Sequence, residues 1–320
     1  MIDFPIDELL DEQACLAWLE RYLHPDGLQC PRCGSADRRV ARRLGVLTAY
    51  RCTDCDCYHS ILTGTVFGKT HQPPSKIVLL LRGIAKGEPT ARLARELSIG
   101  RARIHEIRKL VQSNLHQRLP SDLLKEKVFE ADELYQNAGE KRRPAQRSAG
   151  SAQKTSQQAQ GAGTYGTDRP PIFSIVARQS GTVRYFVRHH SDAATCLKVV
   201  RSTVPEGSAI LYTDEWRGYT AVEAKLKTNH ATVKHGRADD GSREWARDDD
   251  GDGIREVHCN SCEGAGTGLR TYLRVFRGVH KKHLAAYVAT YETMTNAKRI
   301  NSPIVQRMCF IVHRLHSGDT

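Results

Sequence analysis

Apolar residues recur at two different periods along this chain, and the change of period divides it into two stretches. Up to about residue 120 they recur every three or four positions, which predicts helices around a short cysteine-containing segment. From residue 128 they form alternating or continuous runs of five or six residues, which predict strands. The chain is therefore expected to join a mostly helical part to an α/β part.

The helical part is predicted to contain three units with different patterns. These are an N-terminal packing helix, a cysteine-rich ribbon and a further helical unit, over residues 1–26, 27–72 and 73–120. In the last unit Ser75 can cap one helix and Thr90 can cap the next, because both residue types accept a hydrogen bond from a free helix amide. A DNA-binding arrangement of these helices has to be considered.

The unit over residues 73–120 has the outline of a helix-turn-helix. Helical periodicity over 91–97 stops at Ser98-Ile99-Gly100 and then resumes. Its apolar residues would form a shared core, which leaves four basic side chains able to approach a DNA groove, namely Arg101, Arg103, His105 and Arg108. A helical linker whose arginines form a solvated face is the alternative.

The α/β part, over residues 121–301, predicts a mixed sheet flanked by helices. Strands that start near Val128, Ile172 and Val183 would follow one another as antiparallel neighbours. A continuous apolar run over 209–212 predicts a buried strand beside the first of them. Helices are predicted after Asp192 and over 216–226, and a last short strand over 231–234. This strand order is RNase H-like, so the predicted fold class is α/β.

Three further stretches are predicted to lie outside the sheet. Residues 137–171 are poor in apolar residues and predict a flexible insertion, either with a basic surface able to touch phosphates or as a plain disordered loop. Residues 302–320 are predicted to form a C-terminal tail. In the acidic segment 239–256, Asp248, Asp250, Asp252 and Gly253 resemble the start of an EF-hand loop. The twelfth residue counted from Asp248 is Cys259 instead of the required glutamate, which disfavours calcium.

Three acidic residues far apart in the chain are predicted to converge. Asp132 and Asp214 stand at the ends of predicted neighbouring strands, and Glu263 lies on a predicted helix seven residues before Arg270. Enzymes that transfer phosphoryl groups gather such carboxylates around two divalent ions about 3.5–4 Å apart. Seven residues return almost to the same helix face, so Arg270 could pair with a phosphate beside the ions. A surface helix with ordinary salt bridges is the alternative.

Two Cys-x-x-Cys pairs predict a zinc ribbon over residues 27–72. Cys30 with Cys33 and Cys52 with Cys55 supply four thiolates, which is the closed tetrahedral set that structural Zn²⁺ prefers. Cys57 and His59 lie close enough in sequence that either could take the place of Cys55. Reduced thiols in an ordinary core are the other interpretation.

Composition agrees with a nucleic-acid partner without establishing it. The 320 residues carry a formal net charge of +12 with a pI near 9.3, which favours polyanions, although any basic protein would share that property. No apolar run is long enough to span a bilayer, and the first residues lack the pattern of a secretory signal. The expected location is therefore the cytoplasm, where the ten cysteines stay reduced.

Several motifs together resemble a known family. They are the two cysteine pairs, Thr63-Gly64-Thr65-Val66-Phe67, Glu130-x-Asp132-Glu133, Thr213-Asp214-Glu215-Trp216-x-Gly218-Tyr219, His258-x-Asn260-x-x-Glu263-Gly264 and Phe276-Arg277-Gly278-Val279-His280-Lys281-Lys282. On these residues the chain resembles bacterial insertion-sequence DDE transposases of the group named after insertion sequence fifteen-ninety-five. The resemblance covers nearly the whole chain.

This resemblance implies a site, cofactors and partners. It makes Asp132, Asp214 and Glu263 the catalytic triad with Mg²⁺ or Mn²⁺, makes Arg270 its basic companion, and leaves Asn260 as a rival for the third place. It also implies DNA contacts for Lys281 and Lys282. The implied partners are double-stranded DNA, as terminal inverted repeats and as target, and further copies of the chain on paired ends. A bacterial, nucleoid-associated protein is expected.

Two other functions fit the same features. One is a zinc-ribbon and helix-turn-helix regulator that keeps an inactive catalytic domain, and the other is a nuclease that cuts without joining. One departure from the family pattern is the stretch Gly264-Ala265-Gly266-Thr267-Gly268, where bulkier residues are expected. Three glycines cost about 2–3 kcal/mol in helix propensity, so the helix after Glu263 is predicted to begin late or to bend.

Overall fold

The computed structural model describes residues 11–138, 163–207, 209–234 and 244–312. The chain forms two compact units, one from Met1–Leu119 with Ala289–Thr320 and the other from Pro120–Val288. We call them the helical unit and the sheet unit. Among the described residues, none of the helices combines the length and apolar character that crossing a bilayer requires. Most of the predicted insertion, residues 139–162, falls outside the described residues.

The described residues contain both helices and strands, together with one 3-10 turn at Arg217–Tyr219. In chain order they are α1 (Glu12–Leu23), β1 (Arg38–Leu44), β2 (Leu47–Cys52), β3 (Tyr58–His59), α2 (Pro74–Ala85), α3 (Thr90–Leu97), α4 (Arg101–Gln117), β4 (Val128–Tyr135), β5 (Pro171–Ala177), β6 (Thr182–Val187), α5 (Ala193–Arg201), β7 (Ile210–Asp214), α6 (Val222–Leu226), β8 (Asn229–Val233), α7 (Asn260–Val275), α8 (Lys281–Asn296) and α9 (Ser302–Cys309).

Helix starts in the helical unit differ from two of the predictions. α2 begins at Pro74, so Ser75 lies inside its first turn, where its amide and hydroxyl both donate to the Glu12 carboxylate of α1. Thr90 is likewise the first residue of α3 and not its cap. Proline before or at the first helical position supplies the fixed φ that starts each helix, so a side-chain cap is not needed there.

One core holds the helical unit together. It combines the apolar faces of α1, α2, α3, α4 and α9 around fully buried residues such as Trp18, Leu81 and Ile104. α2 and α3 approach closely because Gly83 has no side chain, and a Cβ there would lie 2.3 Å from Leu93 Cδ2. Residues 302–309 of the predicted C-terminal tail instead form the helix α9. Its apolar side chains are part of this core, namely Ile304, Val305, Met308 and Cys309.

The sheet unit contains a five-stranded mixed sheet in the order β6-β5-β4-β7-β8. β4, β5 and β6 pair antiparallel in sequence order, whereas β7 pairs parallel to β4 and β8 pairs parallel to β7. Numbered within the unit, this order is 3-2-1-4-5, with the second strand antiparallel to the rest. It confirms the predicted RNase H-like α/β fold.

Helices cover both faces of this sheet. On one face Phe129 and Ala131 of β4 pack against α5 and the 3-10 turn, around the buried Tyr219. On the other face lies α7, which is a continuous helix from Asn260, so the predicted late start does not occur. Gly266 packs over β4, where a Cβ would lie 3.3 Å from Leu134 Cδ2. The glycines that cost helix propensity thus allow α7 to lie close to the sheet.

Candidate active site

The two predicted aspartates stand on adjacent parallel strands. Glu130 of β4 pairs with Tyr212 of β7, so Asp132 and Asp214, each two residues further on, continue that register. Residues two apart on a strand point to the same face, which places both aspartates on the α7 side of the sheet. α7 carries Glu263 in its first turn. Strand pairing and helix packing therefore bring all three predicted carboxylates to one end of the sheet.

Electrostatic interactions link Asp132 to the other predicted site residues. Its pKa is raised to about 6, mainly by burial and then by the charges of Asp214 and Glu263. The Glu133 amide, 2.8 Å from Asp132 Oδ1, and the Arg270 guanidinium lower it. Arg270 thus lies near enough to Asp132 to offset part of the carboxylate charge. The structure brings together the four residues that the sequence selected from three distant segments.

Hard divalent cations fit the oxygen donors of this site, because Mg²⁺ and Mn²⁺ prefer carboxylate ligands. Asp132 and Asp214 are partly buried, while Glu263 and Arg270 are exposed. Among the described residues, Asp132, Asp214 and Glu263 do not form a set whose oxygens all lie within 4.8 Å of one another. All three carboxylates could hold one ion only after at least one of them moves closer to the others.

Two glutamates beside Asp132 were not predicted as site residues. Glu130 is fully buried under the start of α7. The pKa of Glu133 is raised to about 8, mainly by burial and to a smaller extent by the charges of Asp214 and Asp132. Glu133 points to the opposite face, with Cys196 Sγ of α5 3.9 Å from its Oε1. Their sequence signals are a run of three acids within four residues and the motif Glu130-x-Asp132-Glu133, neither of which shows what the two glutamates contact.

Asn260 stands at the start of α7, three residues before Glu263. Its side chain is exposed, and its backbone N–H donates weakly to His258 Nδ1 at 3.4 Å. His258 Nδ1 also lies 3.2 Å from Glu130 Oε1. Asn260 and Glu263 both occupy the first turn, so the choice between them for the third catalytic place stays a prediction.

The four predicted zinc ligands come together in the helical unit. Cys30 Sγ lies 3.5 Å from Cys55 Sγ, and Cys33 Sγ lies 3.5 Å from Cys52 Sγ. All four sulfur atoms lie within 4.8 Å of one another. A tetrahedron of thiolates at about 2.3 Å from zinc has sulfur atoms about 3.8 Å apart, so the arrangement fits that ion.

The two residues weighed as substitutes for Cys55 have other contacts. Cys57 Sγ donates to the Tyr58 carbonyl oxygen at 3.8 Å, and His59 is buried with Nδ1 3.2 Å from the Cys57 carbonyl oxygen. Neither belongs to the set of four sulfur atoms. The Cys-x-x-Cys pairing thus describes the geometry better than either substitution.

The predicted DNA-binding side chains of α4 are not equivalent. Arg101 and His105 are exposed, and Arg103 pairs with Glu106 at 2.7 Å. Arg108 is fully buried, which corrects its assignment to a DNA-facing surface. Its Nε donates to Thr90 Oγ1 at 3.1 Å, and its Nη2 donates to the Glu88 carbonyl oxygen. Arg108 ties the start of α3 to α4.

Lys281 also has a different environment from the predicted one. Its Nζ lies 2.7 Å from Asp168 Oδ1 and donates to the Tyr165 carbonyl oxygen at 3.0 Å, while its backbone N–H donates to the Ala138 carbonyl oxygen. These partners flank the undescribed stretch 139–162 on both sides. Lys281 is therefore an anchor for the two flanks, whereas the neighbouring Lys282 is exposed.

The acidic loop that resembles an EF-hand opening is closed by a β-bridge between Arg247 and Val257. Oxygens of Asp248, Asp250 and Asp252 lie within 4.8 Å of one another. The same carboxylates accept hydrogen bonds from amides of the loop itself. The loop thus has internal hydrogen bonds that account for its shape without an ion, and no helix pair flanks it within the described residues.

Asp214 is the last residue of β7, as predicted, whereas Asp132 lies inside β4, which continues to Tyr135. The strand order and the acidic side chains on these adjacent strands define an RNase H-like protein with an acidic site. A sequence profile of the ISXO2-like transposase domain matches residues 124–296, which is more than half of the chain. The chain belongs to the family of ISXO2-like transposases. The resemblance to transposases of the insertion sequence fifteen-ninety-five group is thereby confirmed.

One relative is similar over most of its length. It is described as an uncharacterized protein in transposable element ISH50 of Halobacterium salinarum, and it is 24% identical over 295 residues, which cover 90% of this chain and 92% of that one.

Two solved structures share part of the fold at low similarity. The HTLV-2 integrase catalytic core domain in complex with magnesium matches 53% of this chain and 86% of its own, at 9% identity and a TM-score of 0.28. The Mos1 transposase paired-end complex with left transposon end matches 51% and 60%, at 15% identity and a TM-score of 0.20. These scores are low, so the fold class rests on the strand order.

Proposed function

We propose that this protein is a DNA transposase that binds the ends of its element, cleaves them and joins the freed 3′-hydroxyl to target DNA. The observation that carries the proposal is the electrostatic grouping of Asp132 with Asp214, Glu263 and Arg270 at one end of the RNase H-like sheet. Membership of a transposase family supports the same conclusion. The grouping matters because three carboxylates from separate elements repel one another unless cations join them.

Asp132, Asp214 and Glu263 would hold two Mg²⁺ or Mn²⁺ ions. Such ions lower the pKa of the attacking water or hydroxyl and stabilise the leaving oxygen. The protein's own contribution is positional, because β4 and β7 fix the two aspartates and α7 presents Glu263. Arg270, two helical turns further along α7, would pair with a phosphate of the bound strand and hold it in line.

DNA binding would come mainly from the helical unit. α4 presents Arg101, Arg103 and His105, and the net charge of +12 attracts phosphates over a longer range. Terminal inverted repeats and target DNA are the proposed double-stranded partners, and at least two copies of the chain would bring paired ends together. Exposed Lys282 is a further proposed phosphate contact. With DNA as substrate, the proposed location is the nucleoid of a bacterial cytoplasm.

A labelled-end assay tests this function. Pre-cleaved element ends are incubated with protein, Mg²⁺ and a target plasmid, and the products are separated on a denaturing gel. Wild-type protein should give joined products. Asp132→Ala should still shift the end fragment on a native gel but join nothing, while Asp122→Ala, a change at an exposed aspartate of the same unit, should join normally.

Each other result selects a different function. Cut but unjoined plasmid from wild-type protein would identify a nuclease. Shifted but unchanged DNA under all metal conditions would identify a DNA-binding regulator with an inactive catalytic domain. Normal joining by Asp132→Ala would overturn the metal-site assignment itself.

A further inference from the structure

We propose that Glu130 is a positioning residue that holds the start of α7 against β4 and so fixes Glu263 relative to Asp132. This inference rests on the proposed function, because it gives Glu130 a role in assembling the metal site. Glu130 lies two residues before Asp132 on β4. Nothing in the chemistry of phosphoryl transfer requires a fourth carboxylate there, so its burial needs its own explanation.

Glu130 is fully buried and accepts hydrogen bonds from α7. Its Oε2 accepts from the backbone N–H groups of Ser261 and Cys262, at 2.7 and 3.0 Å. Its Oε1 accepts from Ser261 Oγ at 2.9 Å. First-turn amides have no partner within their own helix, and the helix dipole favours a negative charge at this end. A carboxylate held by two such amides is a directional anchor, since both must point at the same oxygen.

These hydrogen bonds lie close to the proposed metal ligands in sequence. Glu130 is two residues from Asp132 on β4, and its partners Ser261 and Cys262 are two residues and one residue from Glu263 on α7. The backbone between Glu130 and Asp132 is a strand and that between Ser261 and Glu263 is a helix, so neither segment can change its conformation much. A shift of α7 along the sheet would therefore break the bonds to Glu130 before it could separate Glu263 far from Asp132.

Arg178 neutralises the buried charge and holds the segment that enters α7. Its Nε donates to Glu130 Oε1 at 2.6 Å, and its two terminal nitrogens donate to the carbonyl oxygens of Glu256 and His258 at 2.5 and 2.7 Å. Its guanidinium also lies 4.3 Å from the centre of the Tyr212 ring. Removing one partner of such a buried pair leaves an uncompensated charge, so both residues are needed together.

A purely structural salt bridge would predict a loss of stability alone, whereas positioning predicts a loss of metal affinity. Glu130→Gln keeps the volume but directs an NH₂ group at helix amides that also donate. Residues that orient metal ligands typically contribute about 10–100-fold to metal affinity. We expect Mn²⁺ binding by the zinc-loaded full chain, measured by electron paramagnetic resonance of free Mn²⁺, to weaken about 10-fold or more.

Glu12→Gln is the matched control. Glu12 also accepts from the first turn of a helix, through the amide and hydroxyl of Ser75, but it lies in the helical unit. It should lower the unfolding midpoint and leave Mn²⁺ binding unchanged. Arg178→Lys is a second variant in case Glu130→Gln does not fold, because lysine cannot make all three hydrogen bonds and should weaken Mn²⁺ binding by a smaller factor.

The outcomes separate this inference from the proposed function. If Asp132→Asn abolishes Mn²⁺ binding while folded Glu130→Gln and Arg178→Lys bind like wild type, positioning by Glu130 is overturned and the metal site stands. If Asp132→Asn binds Mn²⁺ like wild type, the proposed metal site itself fails. Weaker Mn²⁺ binding by Glu130→Gln, with strand transfer recovered at high Mn²⁺, supports positioning.

An independent feature of the helical unit carries a second proposal. β1 is the edge strand of the ribbon sheet, and all seven of its residues, Arg38–Leu44, are exposed. It contains four arginines and no acidic residue. The acidic partner nearby, Asp56, pairs with Arg51 of β2 and lies 3.9 Å from Arg39. We infer that β1 binds a nucleic-acid phosphate backbone, for which Arg42 and Arg43 supply the exposed charge.

The salt dependence of DNA binding tests this surface. Each phosphate contact that is lost should reduce the slope of log affinity against log salt by about 0.9. Arg42→Gln with Arg43→Gln should therefore reduce the slope by up to about 1.8 on element ends and on unrelated duplex alike. Lys198→Gln with Arg201→Gln, an equal charge change at two exposed positions of α5, is the control. An unchanged slope for the β1 pair would refute the assignment.

Discussion

Asn114 Nδ2 on α4 donates to the Met308 carbonyl oxygen on α9 at 3.1 Å, although the two residues are 194 positions apart in the chain. Arg118 extends the connection by donating to the carbonyl oxygens of Arg307 and Phe310. These bonds satisfy carbonyl groups at the end of α9, which have no partner within that helix. The last described helix is therefore fixed to the helix proposed to enter DNA.

Met308→Ala should destabilise the helical unit. The side chain is fully buried, and truncating a buried methionine typically costs about 2–5 kcal/mol because a cavity remains. Urea unfolding followed by circular dichroism measures the change, with the exposed Lys298→Ala as control. Equal unfolding midpoints for Met308→Ala and wild type would show that α9 does not contribute to this core in solution.

Cys52→Ser should remove zinc from the purified protein. Four thiolates are needed for a closed structural site, and so small a ribbon depends on its metal for stability. Elemental analysis should find one zinc per wild-type chain and none in Cys52→Ser. Cys57→Ser should keep its zinc, because Cys57 lies outside the set of four sulfur atoms. Loss of zinc from Cys57→Ser instead would assign the fourth ligand differently.

The contribution of Asp132 and Glu133 to the stability of the metal-free protein should fall as the pH rises from about 4 to about 8. Burial raises the pKa of Asp132 to about 6 and that of Glu133 to about 8, from ordinary values of 3.8 and 4.5. In this range the folded protein holds protons that the unfolded chain has already released, so each rise in pH favours unfolding. Thermal unfolding of wild type, Asp132→Asn and Glu133→Gln in chelator-treated buffers at a series of pH values isolates this contribution from that of His105, His116, His230 and His258, whose lowered pKa values act in the opposite direction.

Asp132→Asn should accordingly stabilise the metal-free protein at pH 8. A neutral amide removes a buried charge next to Asp214, and one pKa unit corresponds to about 1.4 kcal/mol, so a gain of about 1–3 kcal/mol is expected. The gain should shrink as the pH falls below the folded pKa of about 6 and disappear only below the ordinary value of 3.8, where the wild-type carboxyl is protonated in both states. A lower melting temperature for Asp132→Asn than for wild type at pH 8 would contradict the assigned environment.

Arg101 and Arg108 should respond differently to substitution by alanine. Arg101→Ala should weaken DNA binding and reduce the salt slope by about 0.9 without changing stability, because its side chain is exposed. Arg108→Ala should lower the free energy of unfolding by about 2–4 kcal/mol, since it leaves a cavity and removes the bonds to Thr90 and Glu88. Titration of labelled DNA and urea unfolding on both variants measure the two effects. A loss of stability in Arg101→Ala, with weaker DNA binding but unchanged stability in Arg108→Ala, would contradict the two assignments.

Lys281→Met and Lys282→Met form a similar pair. Lys281→Met should speed hydrogen exchange of the amides over 163–170, because it removes the ion pair with Asp168 and the bond to the Tyr165 carbonyl oxygen. Lys282→Met should leave that exchange unchanged and weaken DNA binding. Mass spectrometry of peptides from this segment resolves the two. Equal exchange in both variants would remove the anchoring role of Lys281.

Much of the site could be predicted because its residues follow strong patterns. Asp214 ends an apolar run and Asp132 lies in a strand segment with alternating apolar residues, so their proximity follows from the strand order that these patterns imply. The four cysteines have a spacing that sets their geometry locally. Both cases depend on backbone regularity, which an apolar period or a short motif fixes without knowledge of distant contacts.

The errors concern charged residues whose partners are far away in sequence. Arg108 lies four positions after Ile104 and therefore on the buried face of α4, but its charge suggested solvent. Its burial depends on oxygens of Glu88 and Thr90, which only the fold brings near. Glu130 was missed for the same reason, since its partners on α7 are 131 and 132 residues away. Local patterns cannot show which charges are neutralised at such distances.

The helical unit is discontinuous in the chain, since it needs both the first 119 residues and α9. On the ribosome, every strand of the intervening sheet emerges before Ile304 and Met308 do, and domains generally fold as units during synthesis. The nascent chain can thus complete its catalytic fold while the core beneath α4 is still open. The unit proposed to bind DNA is therefore completed only after the sheet unit has been synthesised.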